Sequence, residues 1–244
     1  MASDLDLALA LADAADELTL ARFRAPDLRV ETKPDLSPVS EADHAVEEAI
    51  RAVLARERPG DVVVGEEYGH DEGEGRLWIV DPIDATKNYV RGIPLFATLI
   101  ALEDEVAVVS APALGRRWWA TRGGGAFANG EPIGVSRVAR LEDAVLTYTS
   151  LRGFGEEFLA LARRVWAPRG FGDFWQYMLL AEGCVDVSVE SSANLWDLAA
   201  PKLIVEEAGG RLTDLAGNDT ADGGSALASN GLLHEAALEA LRTT

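Results

Sequence analysis

The stretch Arg76-Leu-Trp-Ile-Val-Asp-Pro-Ile-Asp-Ala-Thr-Lys-Asn88 constrains this chain more than any other. Leu77 to Val80 is a short apolar run of the kind that forms a buried strand. It delivers two carboxylates, Asp81 and Asp84, to the strand's end. Pro82 fixes its own φ and biases Asp81 towards an extended conformation, so the pair sits on a stiff turn. Two acids at that spacing repel each other unless a cation lies between them. The same residues also describe an ordinary Asp- and Pro-rich surface turn. The rest of the sequence has to decide between the two.

The 244 residues suffice for a sizeable core, as one large domain or two small lobes. A formal net charge of −19 argues against a nucleic-acid or anionic-membrane surface, since both need a basic footprint. It fits an acidic, soluble, cytoplasmic protein. The N-terminus is acidic, without a basic leader or an apolar run long enough for a bilayer, so neither a signal peptide nor an anchor is expected. The lone Cys184 excludes an internal disulfide and reads as a small buried hydrophobe rather than a nucleophile. His44, His70 and His234 share no metal-ligand spacing.

Along the chain, residues 4–23 carry Leu5, Leu9, Ala12, Ala15 and Leu18 at helical spacing. The prolines of 26–38 prevent a regular helix. Ser40 then reads as the N-cap of a second helix with Val46, Ile50, Val53 and Leu54 on one face. Asp43, in its first turn, reads locally as a capping acid. Residues 61–65 form a β-branched strand ending in Glu66-Glu67, and a glycine-rich acidic hairpin (69–75) leads into the pivotal strand. If those two strands were antiparallel neighbours, Glu66 and Asp81 would leave from opposite ends, and the sequence does not decide this. Strands at 95–102, 106–110 and 117–121, joined by hairpin-sized turns, predict a mixed or antiparallel sheet flanked by the first two helices. From about residue 137 the pattern becomes α/β. Strands are expected at 146–150, 185–190, 211–214 and 226–229, with helices at 155–167, 174–183, 195–208 and 231–242. Pro201 fits the third of these helices only in or just past its first turn. The expected organisation is an N-terminal lobe (1–136) and a C-terminal lobe (137–244) packed as one compact unit.

Glu66, Asp81, Asp84 and Asp197 each lie near the end of an expected strand or the start of a helix. Oxygen-only donors without His or Cys favour a hard ion such as Mg²⁺, commonly shared with a substrate phosphate. Glu66-Glu67, Trp78-Ile-Val-Asp-Pro-Ile-Asp-x-Thr-x-Asn88, Leu195-Trp-Asp-Leu-Ala-Ala200 and Glu206-Glu-Ala-Gly-Gly210 together resemble the inositol monophosphatase family of Mg²⁺-dependent, lithium-sensitive phosphatases. The similarity runs from about Leu5 to the last helix. It implies a layered αβαβα sandwich, a homodimer, a small phosphorylated substrate and two or three Mg²⁺ per site.

By the same resemblance, Glu66, Asp81 and the Ile83 carbonyl would bind one ion. Asp81, Asp84 and Asp197 would bind a second. Asp43 and Thr86 would orient and deprotonate the attacking water, and the amides of Ala85 and Thr86 would hold the phosphate. The implied reaction is direct in-line attack of metal-activated water on a phosphate monoester, without a covalent intermediate. Ala85 departs from the family's glycine. If that position needs φ > 0, the methyl costs roughly 1 kcal/mol and could leave a homologue that binds metal and phosphate without turnover. Three stretches, Lys33–Asp43, Thr86–Gly92 and Gly172–Met178, lean towards the members acting on histidinol phosphate, with a broad or inositol-directed monophosphatase as the alternative. A histidinol leaving group is cationic, which gives Glu190 and Asp173 chemical sense as its contacts. Arg91 reads as a phosphate contact or an ordinary surface charge.

Overall fold

The computed structural model describes residues 3–34 and 36–242, so Asp35 of the Lys33–Asp43 stretch lies outside the described residues. Helix α1 (Asp4–Arg22) starts at Ser3, whose hydroxyl and the Asp6 carboxylate form a reciprocal capping box. Its buried face is Leu7, Ala8, Leu11, Ala12 and Ala15, whereas Leu5, Leu9 and Leu18 are only partly covered. The helix is almost wholly Leu and Ala inside its acidic positions, so spacing alone does not select the face. Two short strands, β1 (Val30–Thr32) and β2 (Pro38–Ser40), pair antiparallel. Ser40 then caps α2 (Glu41–Glu57), which buries Val46, Ile50 and Leu54 and, against expectation for acids, Asp43 and Glu47.

The strand β3 (Val62–Gly65) is followed by β4 (Gly69–His70), which folds back antiparallel onto it. The chain then returns as β5 (Leu77–Asp84), parallel to β3 with Gly65 opposite Val80. This settles the strand direction that the sequence left open: Glu66 and Asp81 leave the sheet side by side. A single turn, α3 (Thr86–Val90), follows β5. A meander completes the large sheet: β6 (Ala97–Leu102), β7 (Val106–Ala111), β8 (Arg116–Thr121), β9 (Gly125–Ala128) and β10 (Glu131–Pro132). The spatial order is β10-β9-β8-β7-β6-β5-β3-β4.

In the second half, β11 (Val145–Tyr148) precedes α4 (Glu156–Arg164). The helix ends three residues before the expected 167, because Ala167–Arg169 forms a strand, β12, parallel to β11. Pro168 inside that segment cannot continue a helix. Helix α5 (Asp173–Ala181), β13 (Val187–Glu190), α6 (Leu195–Glu207), β14 (Arg211–Thr213), β15 (Ala226–Ser229) and α7 (His234–Arg242) follow. The small sheet has the order β12-β11-β13-β15-β14. Pro201 lies in the second turn of α6, deeper than expected, and is buried. The bond it cannot make is the one the Asp197 carbonyl would otherwise accept. Cys184 is exposed, not buried as its residue type suggested.

Five layers result. Helices α1 and α2 cover one face of the large sheet through Leu11, Val46, Ile50, Trp78, Val80 and Val108. Helices α5 and α6 fill the space between the two sheets, and α4 and α7 close the far side over Leu146, Phe158 and Leu238. Covering both faces of each sheet explains why β6 and β7 read as continuous apolar runs rather than alternating ones.

Between β14, β15 and α7 the buried His234 ring lies 3.0 Å from both the Thr213 and Ser229 hydroxyls. Burial, with Arg211 adding repulsion, pushes its pKa down to about 4. The folded protein therefore keeps this ring neutral while the unfolded chain takes up a proton near its ordinary value of about 6.5. Its contribution to stability is present above that value and is lost as pH falls through about 4. The loss should be on the order of 3 kcal/mol. Urea denaturation of the parent and of His234→Gln, followed between about pH 7 and about pH 4, checks this: the variant should show a shallower acid slope.

Candidate active site

Three segments meet where β3 and β5 leave the large sheet. In a regular strand, residues three apart face opposite sides, so Asp81 and Asp84 should diverge. They do not, because β5 is bulged. Asp81 pairs with Leu99 and Asp84 with Ala97, so Pro82 and Ile83 together oppose Thr98. Proline has no N–H to lose from the ladder, and the Thr98 hydroxyl donates to the Pro82 carbonyl at 2.8 Å. The extra residue restores parity and turns both carboxylates to the same side.

The third carboxylate comes from the first turn of α6. Asp197 accepts hydrogen bonds from the backbone N–H and side-chain amide of Asn194 through Oδ2. Oxygens of Asp81, Asp84 and Asp197 lie within 4.8 Å of one another. Asp84 accepts from the Phe174 backbone N–H at 2.6 Å, which ties the start of α5 to the same point. All three acids line one cleft of about 500 Å³ together with Glu66, Ile83, Ala85, Thr86 and Asp173.

Burial raises the pKa of Asp81 well above the carboxylate range, and Glu66, Asp84, Asp197 and Asp43 add repulsion. Burial does the same to Asp84, helped by Asp173 and Asp197 and opposed by the Phe174 amide. Asp197 is pushed up to about 6, burial again dominating over the Asn194 hydrogen bonds.

The donor set fits a divalent cation. Asp81 Oδ1 is buried and accepts no hydrogen bond among the described residues, a costly state for a carboxylate oxygen unless a positive charge faces it. The cluster is all oxygen, as a hard ion requires. Glu66 lines the same cleft but stands apart from the three-acid group. Its Oε1 accepts from Lys33 at 2.7 Å, and Lys33 also reaches Glu67 at 2.7 Å. Lys33, Ser37, Pro38, Thr149, Ser150 and Arg152 had no assigned role in the sequence reading, yet Lys33 ties down Glu66 and the other five line the cleft. Apart from Pro38, which opens β2, they sit on loops.

Asp43 is fully buried and serves two purposes. Its Oδ2 accepts the Ser40 N–H and hydroxyl, capping α2, while Oδ1 lies 3.3 Å from the Thr86 hydroxyl. Thr86 is also 3.0 Å from the Ile83 carbonyl, so one hydroxyl proton has two acceptors within reach. Burial raises the Asp43 pKa against the Ser40 hydrogen bonds. Ala85 adopts φ +67 and ψ +45, the left-handed conformation, as the residue preceding α3. This is the case in which its methyl is strained.

Asp173 also has a positive φ, +49, and lines the cleft, where burial raises its pKa and the Lys87 charge of α3 lowers it. Glu190, at the end of β13, does not line the cleft itself but feels the charges of Asp173 and Asp197. The Tyr177 hydroxyl donates to it at 2.8 Å and Gln176 Nε2 at 3.3 Å, and burial pushes its pKa up to about 7. Arg91 is exposed and does not line the cleft.

Across residues 1–244 the sequence matches the inositol monophosphatase family. The chain belongs to that family. A histidinol-phosphatase of Mycobacterium tuberculosis is 54% identical, the alignment covering 98% of this chain and 97% of that protein. One from Streptomyces coelicolor is 52% identical over 95% and 94% of the two. Among solved structures, an IMPase of Thermotoga maritima superposes with a TM-score of 0.90 at 33% identity, covering 98% of this chain and 97% of that one. This inositol monophosphatase family member is a phosphatase with the layered αβαβα architecture of its relatives, and its acidic cluster suits the metal-dependent catalysis typical of them.

Two measurements test the site. Raised carboxylate pKa values stabilise the metal-free fold below the unfolded value near 3.8 and lose that contribution as pH rises through about 6, the Asp197 value. Added Mg²⁺ should therefore raise the melting temperature strongly above about pH 7 and little below about pH 5, as read by scanning fluorimetry. Ala85→Gly should relieve the left-handed strain at some entropic cost in the unfolded chain, a net gain of roughly 0.5–1 kcal/mol measurable by urea denaturation.

Proposed function

We propose that this phosphatase hydrolyses histidinol phosphate to histidinol and phosphate, at the level of histidine synthesis, in the cytoplasm and as a homodimer. The observation that carries the reading is the charge of the cleft. Beside the three clustered carboxylates are two further acids: Asp173 lines the same cleft, and Glu190 stands near enough to add its repulsion to that on Asp84. A leaving group bearing an ammonium and an imidazole suits such a wall, and a neutral polyol does not need it. The two relatives above half identity that bear the name histidinol-phosphatase support the same substrate.

In this reading Glu66, Asp81 and the Ile83 carbonyl would hold one Mg²⁺, and Asp81, Asp84 and Asp197 would hold a second. When bound, the ions acidify water and offset the charge on the phosphoryl oxygens. The chain's own groups do the rest. Thr86 passes its hydroxyl proton to Asp43 Oδ1 and accepts one from the attacking water, for which a buried carboxyl with a raised pKa is suited. The amides of Ala85 and Thr86 receive phosphate oxygens. Attack opposite the leaving oxygen breaks the P–O bond, and the departing alkoxide takes a proton from solvent. Glu190, kept in place by Tyr177 and Gln176, and Asp173 orient the cationic alcohol.

Phosphate release from histidinol phosphate and from inositol 1-phosphate, measured side by side with Mg²⁺, tests the assignment. The kcat/KM ratio should favour histidinol phosphate by at least ~100-fold, and equal turnover would sink the substrate reading. Asp43→Asn should lower kcat by about 10²–10⁴ with little change in KM. Glu190→Gln should instead raise KM for histidinol phosphate while sparing a small aryl phosphate.

A further inference from the structure

Glu47 is a carboxylate with no exposed surface, one turn after Asp43 on α2 and outside the cleft. A buried acid is costly unless its oxygens are served, and these are. Oε1 accepts from Arg51 Nε at 2.8 Å and from the Tyr68 backbone N–H at 3.2 Å, and Oε2 accepts from the Glu67 backbone N–H at 2.8 Å. Glu67 and Tyr68 are the two residues after Glu66, where the chain leaves β3.

Glu66 is thereby pinned on both sides. Its own N–H continues the parallel ladder to the Val80 carbonyl at 3.3 Å. The next two amides end on Glu47. The approach is so close that a Cβ at Gly65 would stand 2.1 Å from Glu47 Oε1, which is why that strand ends in glycine. Arg51 then carries the grip outward, to Asp71 at 2.7 Å and to the Gly69 carbonyl, so the whole 66–71 turn hangs from α2. The same helix carries Asp43 four residues earlier, so one rigid rod spaces the Asp43 carboxylate from the Glu66 turn.

We propose that Glu47 is a positioning residue for the metal-binding wall, setting where the Glu66 carboxylate stands by holding the Glu67 and Tyr68 amides. The inference rests on the reading of Glu66 as a metal ligand given above. Groups that orient ligands from behind typically govern 10- to 100-fold in metal affinity. Two variants separate this role from simple folding. Glu47→Gln replaces one accepting oxygen by an NH₂ that cannot receive an amide proton. Glu47→Asp keeps the charge beside Arg51 but withdraws the oxygens by about one C–C bond length.

The probe is Mn²⁺ in place of Mg²⁺, its free concentration read by electron paramagnetic resonance in titrations of the full chain without substrate. Exchange of the Glu67 and Tyr68 amides with deuterium is followed alongside. Both folded variants should bind Mn²⁺ about 10- to 100-fold more weakly and lose protection at those two amides. Combining Glu47→Asp with Glu66→Gln should cost no more than Glu66→Gln alone, because both changes act on one ligand. Parental Mn²⁺ affinity in a folded Glu47→Asp, or losses that add, would overturn the inference while leaving the site intact. Parental affinity in Glu66→Gln would overturn the ligand reading itself, and the positioning role with it.

Discussion

Mutual repulsion among acids at the mouth of the cleft is the constraint around which the rest of the molecule is arranged. Asp81, Asp84 and Asp197 bring oxygens within 4.8 Å of one another with the first two buried, a geometry that left to itself would spring apart or take up protons. It persists because each acid is held by something that does not care about its charge partner. Asp81 and Asp84 belong to a central strand hydrogen-bonded on both sides. Asp84 is gripped by the first turn of α5, and Asp197 by its own helix cap. Stability is invested in the layers so that the site can be held in an unfavourable charge state.

A common device recurs at the site. One oxygen of Asp43 closes the α2 cap while the other faces Thr86. One oxygen of Asp197 closes the α6 cap and one oxygen of Asp84 receives the Phe174 amide. Local secondary structure thus aims each carboxylate using half of it. Capping α2 with one Asp43 oxygen leaves the other facing Thr86, so a capping acid and a group presented to the cleft are compatible readings of the same residue.

Much of this was legible in the sequence because the relevant signals are local. The apolar run before Asp81, the Ser40 cap, the turns between β6, β7 and β8 and the glycines after α6 all depend on neighbours a few residues away. The family motifs named the clustered acids. What stayed hidden depends on distant partners. The parallel sense of β3 and β5 follows from how residues 66–76 cross over, and no spacing rule encodes it. The inner face of α1 was ambiguous because apolar residues surround it. The strand at 167–169 was hidden inside a helix-like composition despite Pro168. Cys184 is exposed although its residue type is usually buried. The roles of Lys33 and Glu47 come from contacts spanning about 20 to 34 positions, which only the folded chain displays.

The bulge at Pro82 and Ile83 imposes an arithmetic on how this chain can change length. Adding or removing one residue there would swing Asp84 to the other side of the sheet, so that segment admits no single-codon insertion or deletion. The stretch 71–74, exposed and mostly free of ladder pairing, carries no such parity. Length drift among descendants of this gene should therefore gather in that loop and bypass the few positions immediately beyond it.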